Sequence, residues 1–259
     1  MYKTEVEVAK SIALMAGDIM REYFWADQGR EIKEDGTPLT IADTMINSVV
    51  IRELAEHFPD DIVIGEEEST GDYGMGRRWF CDPIDGTKAF TWGVPTAMFS
   101  LALVVDGKPV LGVCYEPMLD VFYHAVQGGR AYRNDDEIYV NTADLSTGIL
   151  GTISSQWRIR NEASYLDTLL ENHVEMAAFS GAVAKIVRVA EGRFVGYIEE
   201  LANAHDVAAA QVILEAAGGV ITSLHGEPLD YSKPFKGIVS SNTIVHNELV
   251  TICRKAYEK

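Results

Sequence analysis

Two carboxylates three residues apart are the strongest chemical signal in the chain. Residues 82–87 have the sequence Asp-Pro-Ile-Asp-Gly-Thr and follow the predicted strand 78–81. If the chain turns between Asp82 and Asp85, both side chains and the Ile84 carbonyl converge on one point, because the proline stiffens such a turn and the glycine permits its backbone conformation. These oxygens are the hard ligands that Mg²⁺ prefers. Asp-Gly is also a common turn pair, so for that pair alone a plain β-turn is the alternative.

A second acidic segment lies upstream. Residues 65–68 have the sequence Gly-Glu-Glu-Glu and follow the apolar run 62–64. Adjacent carboxylates repel one another, and a divalent cation would relieve that repulsion. On its own the segment is typical of a solvated acidic turn. Beside residues 82–87 it supplies a candidate bridging metal ligand, Glu66.

Two further acids, Asp43 and Asp206, lie near the starts of predicted helices. Each has a structural explanation, because Thr40 can cap the helix that contains Asp43, and Asp206 can cap or begin its own helix. The chemical alternatives are Asp206 as a metal ligand, and Asp43 with Thr87 orienting a water whose proton Asp43 accepts. Taken together, the acids indicate metal-assisted hydrolysis of a phosphate ester.

The overall charge bears on the possible partners. The chain has 259 residues, 47% hydrophobic and 24% charged, which is typical of a globular protein. Its 22 lysines and arginines against 39 aspartates and glutamates give a net charge of −17. Nucleic-acid binding needs a basic surface and is therefore not expected. A small anionic substrate would need local positive charge, which bound metal ions supply.

Cysteine usage and hydropathy predict the compartment. Cys81, Cys114 and Cys253 are odd in number and widely spaced in apolar surroundings, so we expect buried thiols in a reducing compartment. Residues 1–24 lack the continuous apolar core of a signal peptide, and no apolar run approaches membrane-spanning length. We therefore expect a cytoplasmic protein with no membrane partner.

The elements that position these residues follow from the apolar pattern, which first predicts helices over 4–25 and 40–58. Short apolar runs then predict a largely antiparallel sheet with strands at 62–64, 79–81, 98–105, 110–115 and 121–125. After about residue 142 strands and helices alternate, which favours an α/β second half. The strands expected there are 150–154, 174–178, 195–198, 220–222 and 237–239, and the helices are 162–171, 182–191, 206–217 and 244–257.

We expect two halves in one compact unit without a linker. Residues 1–142 would form an α+β half that carries most of the metal ligands. Residues 143–259 would form an α/β half that carries Asp206 and the substrate contacts.

The order of these motifs resembles that of the inositol monophosphatase family, within the superfamily of Mg²⁺-dependent, lithium-sensitive phosphatases. The matching segments are 35–43, 65–67, 82–87, 128–132, 189–193, 206–209 and 215–219. The predicted order of helices and strands also fits along the whole chain. The resemblance implies a layered α-β-α-β-α fold of the inositol monophosphatase and fructose-1,6-bisphosphatase type, and usually a homodimer.

The resemblance also implies residue roles. The residues expected to hold two or three Mg²⁺, with Mn²⁺ as a possible substitute, are Glu66, Asp82, the Ile84 carbonyl, Asp85 and Asp206, with Glu67 as an outer ligand. Asp43 would take the proton of the attacking water, Thr87 would fix its direction, and Glu66 would help to hold the ion beside it. The expected substrate contacts are Asp85, Gly86, Thr87, Gly181, Ala182, Glu199 and Asp206.

Three departures from the family pattern lie where the leaving alcohol should sit. His205 replaces a Trp that usually precedes the last metal-binding Asp. The family's Gly-Ser/Thr-Ala loop is Ser-Gly-Ala at residues 180–182, with the first two residue types exchanged. Residues 88–90 are Lys-Ala-Phe, where many inositol phosphatases have a polar residue and Asn before the Phe. None of them is a predicted metal ligand, so they bear on which alcohol the substrate contains and not on metal binding.

The expected reaction is hydrolysis of a phosphate monoester of a small polyol, first of all myo-inositol phosphate to myo-inositol and phosphate. Histidinol phosphate is the main alternative, because Glu199 could face an amine as readily as a hydroxyl. Fructose-1,6-bisphosphate and 3′-phosphoadenosine phosphates are weaker options, since they need a basic or aromatic wall. Only scattered candidates for such a wall exist, namely Arg158, Arg160, Lys185 and Arg188. A non-catalytic metal-binding regulator is a remote alternative, because it should have lost Asp43, Thr87 or a ligand.

Overall fold

The computed structural model describes residues 2–26, 31–32, 38–154 and 164–257. The helices of this part of the chain are α1 (Lys3–Tyr23), α2 (Ile41–His57), α3 (Thr87–Thr91), α4 (Tyr165–Glu171), α5 (Ala182–Ala190), α6 (Ala204–Ala216) and α7 (His246–Tyr257). The strands are β1 (Glu31–Ile32), β2 (Pro38–Leu39), β3 (Ile62–Gly65), β4 (Arg77–Asp85), β5 (Met98–Val105), β6 (Lys108–Glu116), β7 (Val121–Val126), β8 (Tyr132–Arg133), β9 (Asp136–Glu137), β10 (Ile149–Thr152), β11 (Glu175–Ala178), β12 (Gly196–Glu199), β13 (Val220–Thr222) and β14 (Ile238–Ser241).

The first large sheet has the strand order β3-β4-β5-β6-β7-β8-β9. β3 runs parallel to β4, and every other neighbouring pair is antiparallel. The prediction of a largely antiparallel sheet is therefore confirmed. Helices cover both faces of this sheet, which explains why its central strands are apolar along nearly their whole length.

Alternate side chains of β5 face opposite layers, as the period of a strand requires. Phe99, Leu101 and Leu103 pack in one core with α1 and α2. Ala102 and Val104 belong to a second core with α5 and α6. The sheet therefore separates two hydrophobic cores, and its strands are held in place from both sides.

The second large sheet has the order β11-β10-β12-β14-β13 and mixed pairing. β10 is parallel to β11 and β12, while β14 is antiparallel to β12 and β13. Tyr197, Ile221 and Ile238 pack in the core with α5 and α6, and Leu150 and Val239 pack in a third core with α4 and α7. The layers stack as α-β-α-β-α, the fold that the resemblance implied.

Small residues bring the middle helix layer close to the first sheet. A Cβ on Gly112 of β6 would lie 2.1 Å from the carbonyl oxygen of Ala209 in α6. Ala208, Ala209 and Ala210 are fully buried in this contact region. The close packing of α6 fixes the position of Asp206, which lies in its first turn.

Several element ends differ from the prediction. α6 begins at Ala204, two residues earlier than expected, because Asn203 occupies the capping position ahead of it. α7 begins at His246 rather than at residue 244. β4 continues through Asp85 instead of ending at residue 81, with consequences for the site.

Some predictions are not tested by the described residues. The start of the predicted helix 162–171, part of the motif 35–43, and Arg158 and Arg160 lie outside them. The division into residues 1–142 and 143–259 stays a prediction. In the described part of the chain, no helix has the length and apolar character needed to span a membrane.

Candidate metal centre

A β-bulge brings Asp82 and Asp85 to the same face of β4. Asp82 lies opposite Ser100 of β5 and Asp85 lies opposite Met98, so three steps along β4 match two steps along β5. In a regular strand, residues three apart point to opposite faces, and one extra residue restores a common face. Pro83 lies inside the bulge, where a missing N–H is tolerated. The expected turn is thus wrong: both acids lie within the strand, and the bulge makes them converge.

Helix α6 contributes a third carboxylate to this place. Asp206 lies in its first turn, where Oδ2 accepts a hydrogen bond from the N–H of Asn203 at 2.5 Å. One oxygen from each of Asp82, Asp85 and Asp206 lies within 4.8 Å of the other two. Both interpretations of Asp206, as capping residue and as metal ligand, fit the geometry, because its carboxylate accepts the Asn203 N–H and also has an oxygen close to Asp82 and Asp85.

Burial and like charges act together on Asp82. The residue is 1% exposed. Burial raises the pKa of Asp82 well above its usual range, and further increases come from the charges of Glu66, Asp85, Asp206 and Asp43. The cluster therefore favours a bound proton or a bound cation over free negative charge.

The loop before α5 holds Asp85 from the opposite side. Ala182 donates its backbone N–H to Oδ1 of Asp85 at 2.8 Å, and Ala184 donates its N–H to Oδ2 at 3.4 Å. Burial and the charge of Asp206 raise the pKa of Asp85 to about 7, although these N–H groups and the charge of Lys185 oppose the rise. The structure thus places the predicted residue Ala182 beside Asp85, with its N–H engaged by that carboxylate.

Two glycines allow the loop to approach so closely. Gly181 has a φ of 104°, and a Cβ there would lie 2.8 Å from Oδ2 of Asp85. Gly86 has a φ of 83°, and a Cβ there would lie 3.3 Å from Cα of Gly181 and from the carbonyl oxygen of Ser180. Residues with a side chain rarely adopt such φ values. The expectation that Gly86 permits a special backbone conformation is confirmed.

Thr87 begins α3 directly after this glycine. Its Oγ1 donates a hydrogen bond to the carbonyl oxygen of Ile84 at 2.9 Å. The Ile84 side chain is fully buried in the core with α1 and α2. The carbonyl proposed as a ligand is therefore anchored by its own side chain and contacted by the threonine.

Asp43 reaches the site from the first turn of α2. Its Oδ2 accepts hydrogen bonds from the N–H of Thr40 at 2.8 Å and from its hydroxyl at 2.6 Å, which confirms the capping interpretation. Its Oδ1 is buried and has no hydrogen-bond partner among the described residues. Burial raises the pKa of Asp43 to about 7; the hydrogen bonds from Thr40 lower it, and the charges of Glu67 and Glu66 raise it. The cap therefore uses one oxygen only.

Glu66 and Glu67 are not part of the close set of three carboxylates that the described residues form. Their charges nevertheless act on its surroundings, since both raise the pKa of Asp43. The N–H of Glu66 donates to the carbonyl oxygen of Cys81 at 3.1 Å, which ties the acidic segment to β4. The structure thus brings the segment beside the cluster, as expected.

Asn47 is a supporting residue that sequence reasoning missed. It is buried in α2, and its Nδ2 donates to the carbonyl oxygen of Glu68 at 3.1 Å. A Cβ on Gly65 would lie 2.3 Å from its Oδ1. Its position in the sequence could have identified it, because Asn47 follows Asp43 by four residues and residues four apart share a helix face.

The predicted substrate residue Glu199 lies at the end of β12 and is 6% exposed. Its Oε2 accepts a hydrogen bond from the hydroxyl of Tyr197 at 2.5 Å, and its Oε1 accepts one from the N–H of Leu201 at 3.3 Å. Tyr197 was also missed. Residues two apart on a strand share a face, so the pattern could have identified it.

The donor set suits a hard divalent cation. All side chains of the cluster are carboxylates, which Mg²⁺ and similar ions prefer. In the described part of the chain, the buried Oδ1 atoms of Asp82 and Asp43 lack hydrogen-bond partners. Buried unpartnered oxygens are costly, and a bound cation would satisfy them.

Comparison with known proteins identifies the family. A family model described as the inositol monophosphatase family matches residues 1–258. The chain belongs to the inositol monophosphatase family. Relatives of this family are phosphatases, so the chain is a phosphoric monoester hydrolase.

The relatives differ in the substrate that their names give. A fructose-1,6-bisphosphatase/inositol-1-monophosphatase of Aquifex aeolicus is 32% identical over 99% of this chain and 97% of its own length. A histidinol-phosphatase of Mycobacterium tuberculosis is 30% identical over 97% of this chain and 98% of its own. Among solved structures, an inositol monophosphatase from Anabaena has a TM-score of 0.85 and 27% identity, covering 98% of this chain and 96% of that one. The fold is thereby confirmed.

The raised carboxyl pKa values predict how stability depends on pH. In the metal-free protein, the free energy of unfolding should fall as the pH rises from about 4 to about 7, because the pKa values of Asp43 and Asp85 rise from 3.8 to about 7 on folding. In that interval the unfolded chain releases protons that the folded chain retains. Each group contributes a slope of up to about 1.4 kcal/mol per pH unit. Urea unfolding across this range measures the slope.

Added Mg²⁺ should remove most of this slope, because a cation favours the ionised carboxylates. Asp43→Asn should reduce the slope more than Asp60→Asn, a control that removes a carboxylate from an exposed turn. A metal-free protein that becomes more stable over the same rise in pH would contradict the prediction.

A side chain at Gly181 should disturb the metal centre. Gly181→Ala places a methyl group 2.8 Å from Oδ2 of Asp85, so we expect Mg²⁺ binding to weaken at least tenfold, on the order of 1.4 kcal/mol. Gly128→Ala is the matched control, because Gly128 also has a positive φ, 73°, but a Cβ there meets nothing within 4 Å. Both substitutions carry a backbone cost, on the order of 1–3 kcal/mol, because a residue with a side chain rarely adopts a positive φ. Calorimetric titration with Mg²⁺ that gives equal affinities for both variants would contradict a role of Gly181.

Proposed function

We propose that the chain hydrolyses the phosphate monoester of a small polyol in a Mg²⁺-dependent reaction, with myo-inositol 1-phosphate as the leading substrate. The observation that carries the proposal is the cluster of Asp82, Asp85 and Asp206, whose oxygens lie within 4.8 Å of one another. Beside it lies Asp43, with a buried Oδ1 that has no hydrogen-bond partner among the described residues. A metal-binding cluster and a proton acceptor are the two parts that such a hydrolysis requires.

The proposed ligands are oxygens. The residues that would hold two or three Mg²⁺, or Mn²⁺ as a substitute, are Glu66, Asp82, Ile84 through its carbonyl, Asp85 and Asp206, with Glu67 as an outer ligand. When bound, the ions would supply positive charge for the attacking water, the phosphate and the leaving oxygen. Because phosphoryl transfer depends mainly on positioning and charge neutralisation, the chain needs no covalent nucleophile.

Asp43 is the proposed proton acceptor for the attacking water. Thr40 holds its Oδ2, so this oxygen fixes the side chain while Oδ1 can take the proton. Burial raises the pKa of Asp43 to about 7 in the absence of metal. The charge of bound cations would lower it, so the carboxylate would be ionised and able to accept a proton near neutral pH. Thr87 would orient the same water through its hydroxyl, which donates to the Ile84 carbonyl.

The proposed substrate contacts surround the cluster. The residues concerned are Asp85, Gly86, Thr87, Gly181, Ala182, Glu199 and Asp206. A Cβ on Gly86 would lie 3.3 Å from Cα of Gly181, so the two backbone segments are close together, and their backbone groups are the proposed contacts to a phosphate. Glu199 would contact hydroxyl groups of the leaving alcohol, because its carboxylate can only accept hydrogen bonds when ionised.

Histidinol phosphate is the second candidate substrate. The carboxylate of Glu199 could pair with a substrate amine, and a carboxylate is the side chain expected for that contact. Histidinol-phosphatases of Chlorobaculum parvum and Mycobacterium tuberculosis are 29% and 30% identical to this chain over 95% and 97% of its length. We also propose, from the resemblance, a homodimer, sensitivity to lithium and a cytoplasmic location.

Asp85→Asn should reduce turnover with Mg²⁺ more than a hundredfold, equivalent to more than about 2.7 kcal/mol of barrier. The reason is that the substitution removes a proposed ligand, while the amide oxygen can still accept the Ala182 N–H. Phosphate release measures turnover, and thermal unfolding shows whether the variant is folded. Asp60→Asn is the control for a carboxylate lost from an exposed position. A folded Asp85→Asn protein with near-normal turnover would remove the central claim.

Glu199→Gln should change substrate preference more than Mg²⁺ dependence. Phosphate release is compared for myo-inositol 1-phosphate, L-histidinol phosphate and fructose-1,6-bisphosphate, with the unmodified chain and the variant side by side. We expect the unmodified chain to prefer inositol phosphate and the variant to lose at least tenfold on that ester, about 1.4 kcal/mol of transition-state binding. Preference for histidinol phosphate would favour the second candidate. Unaltered relative rates in the variant would contradict the role of Glu199.

A further inference from the structure

Lys185 is a buried cation behind the metal centre. It lies in α5, one turn after Ala182, and is 2% exposed. Of the lysines and arginines in the described ranges, it alone is buried. Burying a cation is costly unless polar groups surround it. The contacts of Lys185 should therefore explain how a cation is accommodated there.

The ammonium group of Lys185 contacts the ends of two neighbouring strands. Its Nζ donates to the carbonyl oxygen of Phe179 at 2.9 Å and to that of Thr152 at 3.3 Å. Thr152 ends β10 and Phe179 follows β11, and these two strands pair in parallel. Nζ also lies 4.4 Å from the ring centroid of Tyr197, whose hydroxyl holds Glu199. Lys185 thus ties α5 to the carboxyl edge of the second sheet.

The contact with Phe179 acts on the metal centre through a short stretch of backbone. Residues 180 and 181 connect Phe179 to Ala182, whose N–H donates to Oδ1 of Asp85 at 2.8 Å. Gly181 has a φ of 104° and approaches Oδ2 of the same carboxylate. Lys185 contacts Phe179, the residue that directly precedes this stretch.

We propose that Lys185 is a positioning residue: by binding the Phe179 carbonyl, it fixes the loop that aims the Ala182 N–H at Asp85. The inference rests on the proposed metal centre of the same site. It does not require that any particular phosphate ester is the substrate.

The direction in which Mg²⁺ affinity changes when Lys185 is replaced distinguishes a positioning role from a purely electrostatic one. A buried cation repels a divalent cation nearby, so removing its charge with unchanged geometry would strengthen Mg²⁺ binding. Loss of the loop position would weaken Mg²⁺ binding instead, because Asp85 would no longer be held beside Asp82 and Asp206. The two explanations therefore predict opposite changes in affinity.

The test is Lys185→Met, which keeps an unbranched side chain and removes the charge and the donors. We expect Mg²⁺ affinity, measured by calorimetry, to weaken at least tenfold. For whichever of the three tested esters the unmodified chain hydrolyses fastest, we expect kcat to fall while KM stays within threefold. Lys185→Arg, which keeps charge and donors, should recover affinity to within threefold of the unmodified chain. Lys233→Met removes the same charge from a side chain that is 70% exposed and should leave affinity unchanged.

Equal or tighter Mg²⁺ binding by Lys185→Met would overturn the proposal, as would failure of Lys185→Arg to bind more tightly than Lys185→Met. If Lys185→Met does not fold, Lys185→Gln is the second variant: it removes the charge, and its donor is one atom closer to the backbone than Nζ and so reaches the Phe179 carbonyl less well. It should therefore bind Mg²⁺ more weakly than the unmodified chain, and unchanged or tighter affinity would overturn the proposal. An unmodified chain that binds Mg²⁺ without hydrolysing any ester refutes the proposed function alone. An unmodified chain that binds no Mg²⁺ refutes both.

Discussion

The repulsion among buried carboxylates is the constraint on which the rest of this structure depends. Asp82, Asp85 and Asp206 bring oxygens within 4.8 Å of one another in a chain whose net charge is −17. Buried like charges destabilise a folded protein unless protons or cations neutralise them. The same arrangement that would attract a divalent cation therefore costs free energy in its absence. The remaining elements have to hold these side chains in place against that force.

The layered fold does so by fixing each carboxylate from a separate element. Asp82 and Asp85 lie on β4, in a sheet that helices cover on both faces. Asp206 lies on α6, which packs closely on the same sheet where Ala209 meets Gly112. Packing at this density transmits small displacements instead of absorbing them. Side chains added at such contacts would therefore move the site as well as the core.

Local stabilisation and the proposed chemistry use the same residues. Oδ2 of Asp43 completes a capping box with Thr40, while Oδ1 is buried without a partner among the described residues. The carboxylate of Asp206 accepts the N–H of Asn203 and also has an oxygen in the cluster with Asp82 and Asp85. The capping interpretation and the chemical interpretation of these two acids are therefore compatible. A capped helix start is also a rigid place from which to present a carboxylate.

The sequence by itself determined the family and the order of the longer helices and strands, because apolar periodicity and short motifs are local properties of the chain. The three acids that cluster are among the five that its motifs proposed as ligands. It also anticipated the capping at Thr40 and the special backbone at Gly86. Only the tertiary structure decided how the acids meet. The bulge opposite Ser100 and Met98 depends on pairing with another strand, and the place of Lys185 depends on two parallel strand ends. Such contacts join residues far apart in sequence, so no local pattern encodes them.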